Sequence, residues 1–174
     1  MGMSYTDFLA RKLITDPMTG LNDAPELPDC LFPHQRDIVA WSLRRGRSAL
    51  FAGTGLGKSL MELAWAQAVH SATGKDILHL APLAVSNQMA RETEKFGIAA
   101  RVVAKQSDCE PGTNITNYQK LDHFDLSRLG GVILDESSIL KSFNGKTTRA
   151  LIDGFAKTPF RLACTATPAP NDHA

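Results

Sequence analysis

The sequence predicts an α/β fold, a central mostly parallel sheet with helices on both faces. Three observations lead there. Short runs that are apolar on both faces alternate with helical segments, the pattern of parallel strands buried under crossover helices. Residues 52 to 59 read Ala-Gly-Thr-Gly-Leu-Gly-Lys-Ser immediately after the apolar run Ser48-Ala49-Leu50-Phe51, so a glycine-rich loop joins a strand to a helix. Gly131-Val132-Ile133-Leu134 is an apolar run that ends on the carboxylate pair Asp135-Glu136. With 174 residues and 43% apolar content, the chain is sized for one such domain and is short for two.

The elements follow in order. Residues 1 to 30 read as an N-terminal arm, with a short helix expected over 5 to 14 and then Asp16-Pro17, Gly20, Pro25 and Pro28, which favour extended chain. Regular patterning occupies residues 31 to 174. Pro33 suits a first helical turn, and Ile38, Val39, Trp41 and Leu43 give the helix an apolar side. Arg44, Arg45 and Arg47 around Gly46 read as a helix C-terminus, where cations and glycine are favoured. Strands are expected at 48–51, 76–81, 101–104, 114–117, 131–135 and 160–165, with helices from Leu60, over 85–96 and over 146–155. The sequence stops at Asn171-Asp172-His173-Ala174 with no closing element, the expectation for a truncated chain.

Charge and cysteines narrow the classes. A net charge of +1 gives no global basic field, so nucleic acid would be held by a local surface. Cys30, Cys109 and Cys164 are scattered and odd in number, which argues against a disulfide framework and for a reducing cytoplasm. Cys30 with His34 is the one close Cys/His pair, whereas zinc sites take two. No apolar stretch nears the roughly 20 residues needed to span a bilayer.

The loop residues carry specific chemistry. Gly53, Gly55 and Gly57 have no Cβ and accept positive φ, which lets backbone N–H groups turn inward around phosphate oxygens. Thr54 and Leu56 complete the cradle. Lys58 supplies a point charge to the β and γ phosphates of a nucleoside triphosphate, and the Ser59 hydroxyl is placed for Mg²⁺. Asp135, at a strand end, suits the opposite side of Mg²⁺, and Glu136 suits the orientation of an attacking water. Lys58, Asp135 and Glu136 are thus the expected catalytic set.

The order of motifs resembles the N-terminal RecA-like lobe of a superfamily 2 helicase or translocase, nearest the Swi/Snf-type ATPases and the compact versions carried by phages. Leu31-Phe32-Pro33-His34-Gln35 is similar to the Q motif, which implies that Gln35 reads the adenine edge. Residues 52 to 59 match motif I. Leu80-Ala81-Pro82-Leu83 with Ser86-Asn87-Gln88 resembles motif Ia, and Ile115-Thr116-Asn117-Tyr118 resembles motif Ib. The resemblance implies that Pro82, Ser86, Thr116 and Asn117 touch the nucleic-acid backbone. Asp135-Glu136-Ser137-Ser138 is similar to motif II, continued by Ile139-Leu140-Lys141. Thr165-Ala166-Thr167-Pro168, with Asn171 beyond, matches motif III and implies that Thr165, Ala166 and Thr167 couple the ATP and nucleic-acid sites.

What the resemblance implies is a monomeric motor lobe acting on nucleic acid, duplex DNA in the first instance, in the cytoplasm (the host's, for a phage protein). Motifs IV to VI, which belong to a C-terminal RecA-like lobe, are absent, and with them the arginines worth about 10³ to 10⁵ in rate in related phosphoryl transfer. Ser138 stands where Swi/Snf-type proteins have histidine. Two other readings stay open: a non-enzymatic single lobe that holds ATP or DNA and regulates a partner, and an unrelated phosphate-loop enzyme such as a small kinase. Adenine preference separates the last from the others.

Overall fold

A computed structural model describes residues 18–23, 25–141 and 145–167. The helix expected over residues 5–14 lies outside these, as do Pro168, Asn171 and the side chains of Ser86, Asn87 and Gln88. The described elements run α1 (Pro33–Arg45), β1 (Arg47–Phe51), α2 (Lys58–Thr73), β2 (Ile77–Ala81), α3 (Leu83–Phe96), β3 (Ala100–Val102), β4 (Thr113–Asn117), β5 (Gly131–Leu134), α4 (Gly145–Gly154) and β6 (Phe160–Thr165). The strands form one sheet in the order β1-β6-β5-β2-β4-β3. Every pairing among the described strands is parallel, in keeping with the mostly parallel sheet expected.

Register decides where function can sit. Phe51 pairs with Thr165, Ala81 with Asn117, and Leu80 with Leu134. The C-terminal ends of five strands therefore stand along one edge, where ligands bind in open α/β sheets.

Both faces of the sheet are covered, which is why its strands read as apolar throughout. On one face Ile77, Ile133, Leu162 and Cys164 pack under α2. That helix buries Leu60, Met61, Leu63, Ala64, Trp65 and Ala66 in succession, because it is enclosed by the sheet, α1 and α3. Trp65 is fully buried and meets Phe160 edge-on, with ring centroids 6.4 Å apart. On the other face Leu78, Leu80 and Val132 pack against Leu151 of α4, Phe155 just after it, Tyr118 and Leu121. The alternation along β2 leaves His79 on the α2 face, a polar residue in an otherwise apolar strand.

The segment before α1 is more firmly held than an extended arm requires. The N–H groups of Thr19, Gly20 and Leu21 donate to the carbonyls of Arg45, Arg44 and Leu43 at 3.3, 3.1 and 2.9 Å. They satisfy acceptors that the last helical turn leaves open. Gly20 is required there, since a Cβ would lie 1.9 Å from Leu43 O. Leu27 and Leu31 are buried in the same core. Arg44 and Arg45 fill the last turn of α1 ahead of Gly46, which has φ +73°, as the helix-end reading of this basic cluster requires.

Candidate nucleotide-binding site

The loop from Ala52 to Gly57 lies between β1 and α2 at the C-terminal sheet edge. Gly55 and Gly57 take φ of +85° and +74°, conformations that favour glycine. At Gly57 there is a second constraint, because an added Cβ would sit 2.3 Å from Gln35 Nε2. The first amide bonded within α2 is that of Met61, which donates to Gly57 O at 3.2 Å. No side chain caps this helix start. The amides of Lys58, Ser59 and Leu60 are thus left without an intrahelical acceptor at the positive end of the helix dipole.

Gln35 reaches this loop from α1. Its Nε2 donates to Leu56 O at 2.9 Å, and its Oε1 accepts from the Phe32 N–H at 3.0 Å. A carboxamide has two N–H donors and two acceptor lone pairs, so one of each remains for a base edge.

The carboxylates of the second motif converge on the loop lysine. Lys58 Nζ lies 2.9 Å from Asp135 Oδ1 and 2.6 Å from Glu136 Oε1, and the side chains of Lys58, Asp135 and Glu136 are 15%, 4% and 34% exposed. Burial alone would draw the lysine pKa down. Hydrogen bonds to Glu136 and Asp135 outweigh it and hold the ammonium above the usual lysine range. Glu136 is the one described non-glycine residue at positive φ, +48°, a strained conformation. It turns its carboxylate to the loop while its N–H donates to Asp135 Oδ1 at 2.8 Å. Tyr118 O–H donates to Asp135 O at 2.7 Å and fixes the turn from below.

Thr165 closes the arrangement from the end of β6. Its hydroxyl donates to Glu136 Oε2 at 3.3 Å, lies 3.2 Å from the Ser138 hydroxyl, and accepts the Thr167 N–H at 3.1 Å. Ser138 therefore does stand between the second and third motifs, at hydrogen-bond distance from Thr165. Ala166 lines the same cleft.

The residues expected at nucleic acid are placed less uniformly. Pro82 is the half-buried N-cap of α3, and Ser86 falls in the first turn of that helix. Thr116 is 1% exposed and its hydroxyl donates to Val103 O at 2.9 Å, which ties the end of β4 to the residue after β3. Asn117 is also buried, with Oδ1 unpartnered among the described residues.

A cleft of about 730 Å³ opens above the loop, lined by Gln35, Lys58, Ser59, Asp135, Glu136 and Ala166 among others. Other described cavities, of about 260 to 500 Å³, lie away from these side chains.

No protein-family model matches the chain, nor does any curated protein. Solved structures do. The UvsW helicase from bacteriophage T4 superposes with a TM-score of 0.68 at 19% identity, over 96% of this chain and 61% of that one. The Sulfolobus solfataricus SWI2/SNF2 ATPase core in complex with dsDNA gives 0.67 at 21% identity, over 87% of this chain and 35% of that one. The Pyrococcus furiosus Hef helicase domain gives 0.61 at 17% identity, over 78% and 33%. The chain has the RecA-like fold of these helicase and ATPase cores. It spans 61% of the first of these proteins and about a third of the other two.

The residues of this lobe fit ATP and Mg²⁺. The helix-start amides that have no intrahelical acceptor, the ammonium of Lys58 and the spare donor and acceptor of Gln35 complement a triphosphate and a base, while Ser59 and Asp135 offer hard oxygen ligands of the kind Mg²⁺ takes. Sequence reasoning missed two residues beside them. Glu62 and His79 are both fully buried, and with Asp135 they form the one group of metal-capable side chains found among the described residues. A histidine inside an apolar strand was the available signal. Among the described residues no helix is long and apolar enough to cross a membrane.

Proposed function

We propose that the chain is the ATP-binding lobe of a nucleic-acid-dependent ATPase, a helicase or DNA translocase that couples ATP hydrolysis to movement on DNA. The observation that carries this reading is Lys58 held between Asp135 and Glu136 at the mouth of an amide-lined loop.

Bound Mg²⁺·ATP supplies the reactive γ-phosphoryl group and the metal charge that offsets its negative charge. Residues 53 to 59 wrap the phosphates, and Gln35 selects adenine. Lys58 leaves the carboxylates for the phosphates, which are stronger acceptors by charge. Asp135 and Ser59 would hold the metal, and Glu136, released from the ammonium, would orient the attacking water and take its proton. Thr165 touches the same carboxylate and Ser138 lies against the Thr165 hydroxyl, so the two suit a relay between its position and the segment through Ala166 and Thr167.

Double-stranded DNA is the proposed substrate, contacted near Pro82 and Ser86, in a monomeric cytoplasmic protein whose second RecA-like lobe supplies the missing arginines. One lobe cannot ratchet, because movement needs two lobes that close and reopen with each ATP. The test is turnover by the two-lobed protein with and without duplex DNA. DNA-stimulated hydrolysis that disappears in Glu136→Gln is expected. No turnover under either condition would refute the motor reading and leave a regulatory ATP-binding lobe.

A further inference from the structure

Behind the phosphate loop lies a buried polar pair, Glu62 and His79, that the roles above do not use. Glu62 sits three residues beyond Ser59 on α2, on the same helix face. His79 is at the centre of β2, and Asp135 follows β5. One ligand-type atom from each of Glu62, His79 and Asp135 lies within 4.8 Å of the others. Glu62 and His79 are 0% exposed. His79 Nε2 stands 3.4 Å from Glu62 Oε2, an ion-pair distance without a well-formed hydrogen bond. Both carboxylate oxygens of Glu62 and both ring nitrogens of His79 lack a hydrogen-bond partner among the described residues. Burial pushes the Glu62 carboxyl up, and His79 only partly counters it.

Such a pair is less favourable than apolar residues of the same volume. The surrounding strand, Ile77-Leu78-His79-Leu80-Ala81, shows that an apolar side chain is what this layer otherwise takes. A buried polar pair kept against that preference calls for a role. Its neighbours on either side are Ser59, through the helix, and Asp135, through space: the two proposed oxygen ligands of Mg²⁺.

We infer that Glu62 and His79 are positioning residues, a buried brace between α2 and the end of β5 that fixes the Asp135 carboxylate relative to Ser59 and so sets the affinity for Mg²⁺ in Mg²⁺·ATP. This role rests on the nucleotide-site reading. Outer-shell partners of metal-ligating groups commonly change metal affinity by about 10- to 100-fold when removed.

The test uses the chain as it stands. Glu62→Leu with His79→Leu removes both polar groups at nearly constant volume, the form of replacement that cores tolerate. A thermal melt establishes folding. The Mg²⁺ dependence of binding a fluorescent, non-hydrolysable ATP analogue is then measured. The expected result is an increase of at least about tenfold in the Mg²⁺ concentration required, with binding in EDTA unchanged. A readout free of nucleotide accompanies it: the Glu136 amide, held on Asp135 Oδ1 at 2.8 Å, should exchange its hydrogen faster once Asp135 is unbraced. An unchanged Mg²⁺ requirement in the folded double variant overturns the positioning role and leaves the nucleotide site intact. A wild-type chain that binds no Mg²⁺·ATP overturns both. Should the double variant not fold, the near-isosteric Glu62→Gln is measured in the same way, and wild-type Mg²⁺ dependence there overturns the role.

Discussion

Replacing Lys58 by Met keeps the length and apolar stem of the side chain and removes only the charge, which isolates what the ammonium does. Two carboxylates lose their partner, at 2.9 and 2.6 Å. The two legs differ in weight. Asp135 is 4% exposed, so stranding it resembles breaking a buried pair, about 3 to 5 kcal/mol. Glu136 is 34% exposed and can turn to water, so its leg contributes about 0 to 1 kcal/mol. The Tyr118 and Glu136 bonds to Asp135 remain and absorb part of the loss. The sum for the nucleotide-free protein is a destabilisation of about 3 kcal/mol. Urea unfolding followed by fluorescence reads it directly, since Trp65 is fully buried and should report the transition. Nucleotide affinity should fall separately, by about 10- to 150-fold for one lost charged hydrogen bond of roughly 1.5 to 3 kcal/mol. Adding Glu136→Gln should restore part of the stability and none of the affinity. A Lys58→Met chain within about 0.5 kcal/mol of wild type, binding ATP equally well, would refute the reasoning on both counts.

In the single lobe, Glu136→Gln removes one competitor for Lys58 and one negative charge near the triphosphate. ATP should therefore bind as tightly as in wild type or up to about tenfold more tightly, which titration calorimetry measures. Tyr118→Phe removes the hydrogen bond to the Asp135 carbonyl and should lower stability by about 1 kcal/mol at neutral pH, read by urea unfolding. It should also flatten the alkaline limb. Burial, then the charge of Asp135, holds the Tyr118 phenol protonated in the folded chain to higher pH than usual. The unfolded chain ionises near pH 10, binds fewer protons above it, and makes stability fall by up to about 1.4 kcal/mol per pH unit there. Thiol labelling gives a further check. Cys30 is exposed and lines the cleft, so it should react quickly and be protected by ATP. Cys164 is buried, and burial raises its thiol pKa, so it should react only on unfolding.

Much of the architecture is legible because parallel strands buried on both faces leave short apolar runs that few other elements produce. All six observed strands overlap the expected ranges, from Arg47–Phe51 to Phe160–Thr165. The phosphate loop and the Asp135-Glu136 pair are legible because each depends on residue type at fixed spacing. Boundaries shift where a local feature overrides pattern: α3 starts at Leu83, directly after Pro82, because proline serves as its N-cap. What spacing cannot give is the lateral order of strands, and hence which distant side chains meet. Thr116 illustrates it, since only the pairing of β4 beside β3 shows its hydroxyl directed to Val103. The Glu62–His79 contact and the Tyr118 bond to Asp135 depend on the same lateral placement and were invisible for the same reason.

The most direct measurement is calorimetric titration of Mg²⁺-bound, non-hydrolysable ATP into this chain, with the GTP analogue, Lys58→Ala and Gln35→Ala run beside it. Saturable binding that prefers adenine and is lost in Lys58→Ala and weakened in Gln35→Ala is the predicted result. No binding at millimolar nucleotide, or equal binding of both purines, would contradict the account.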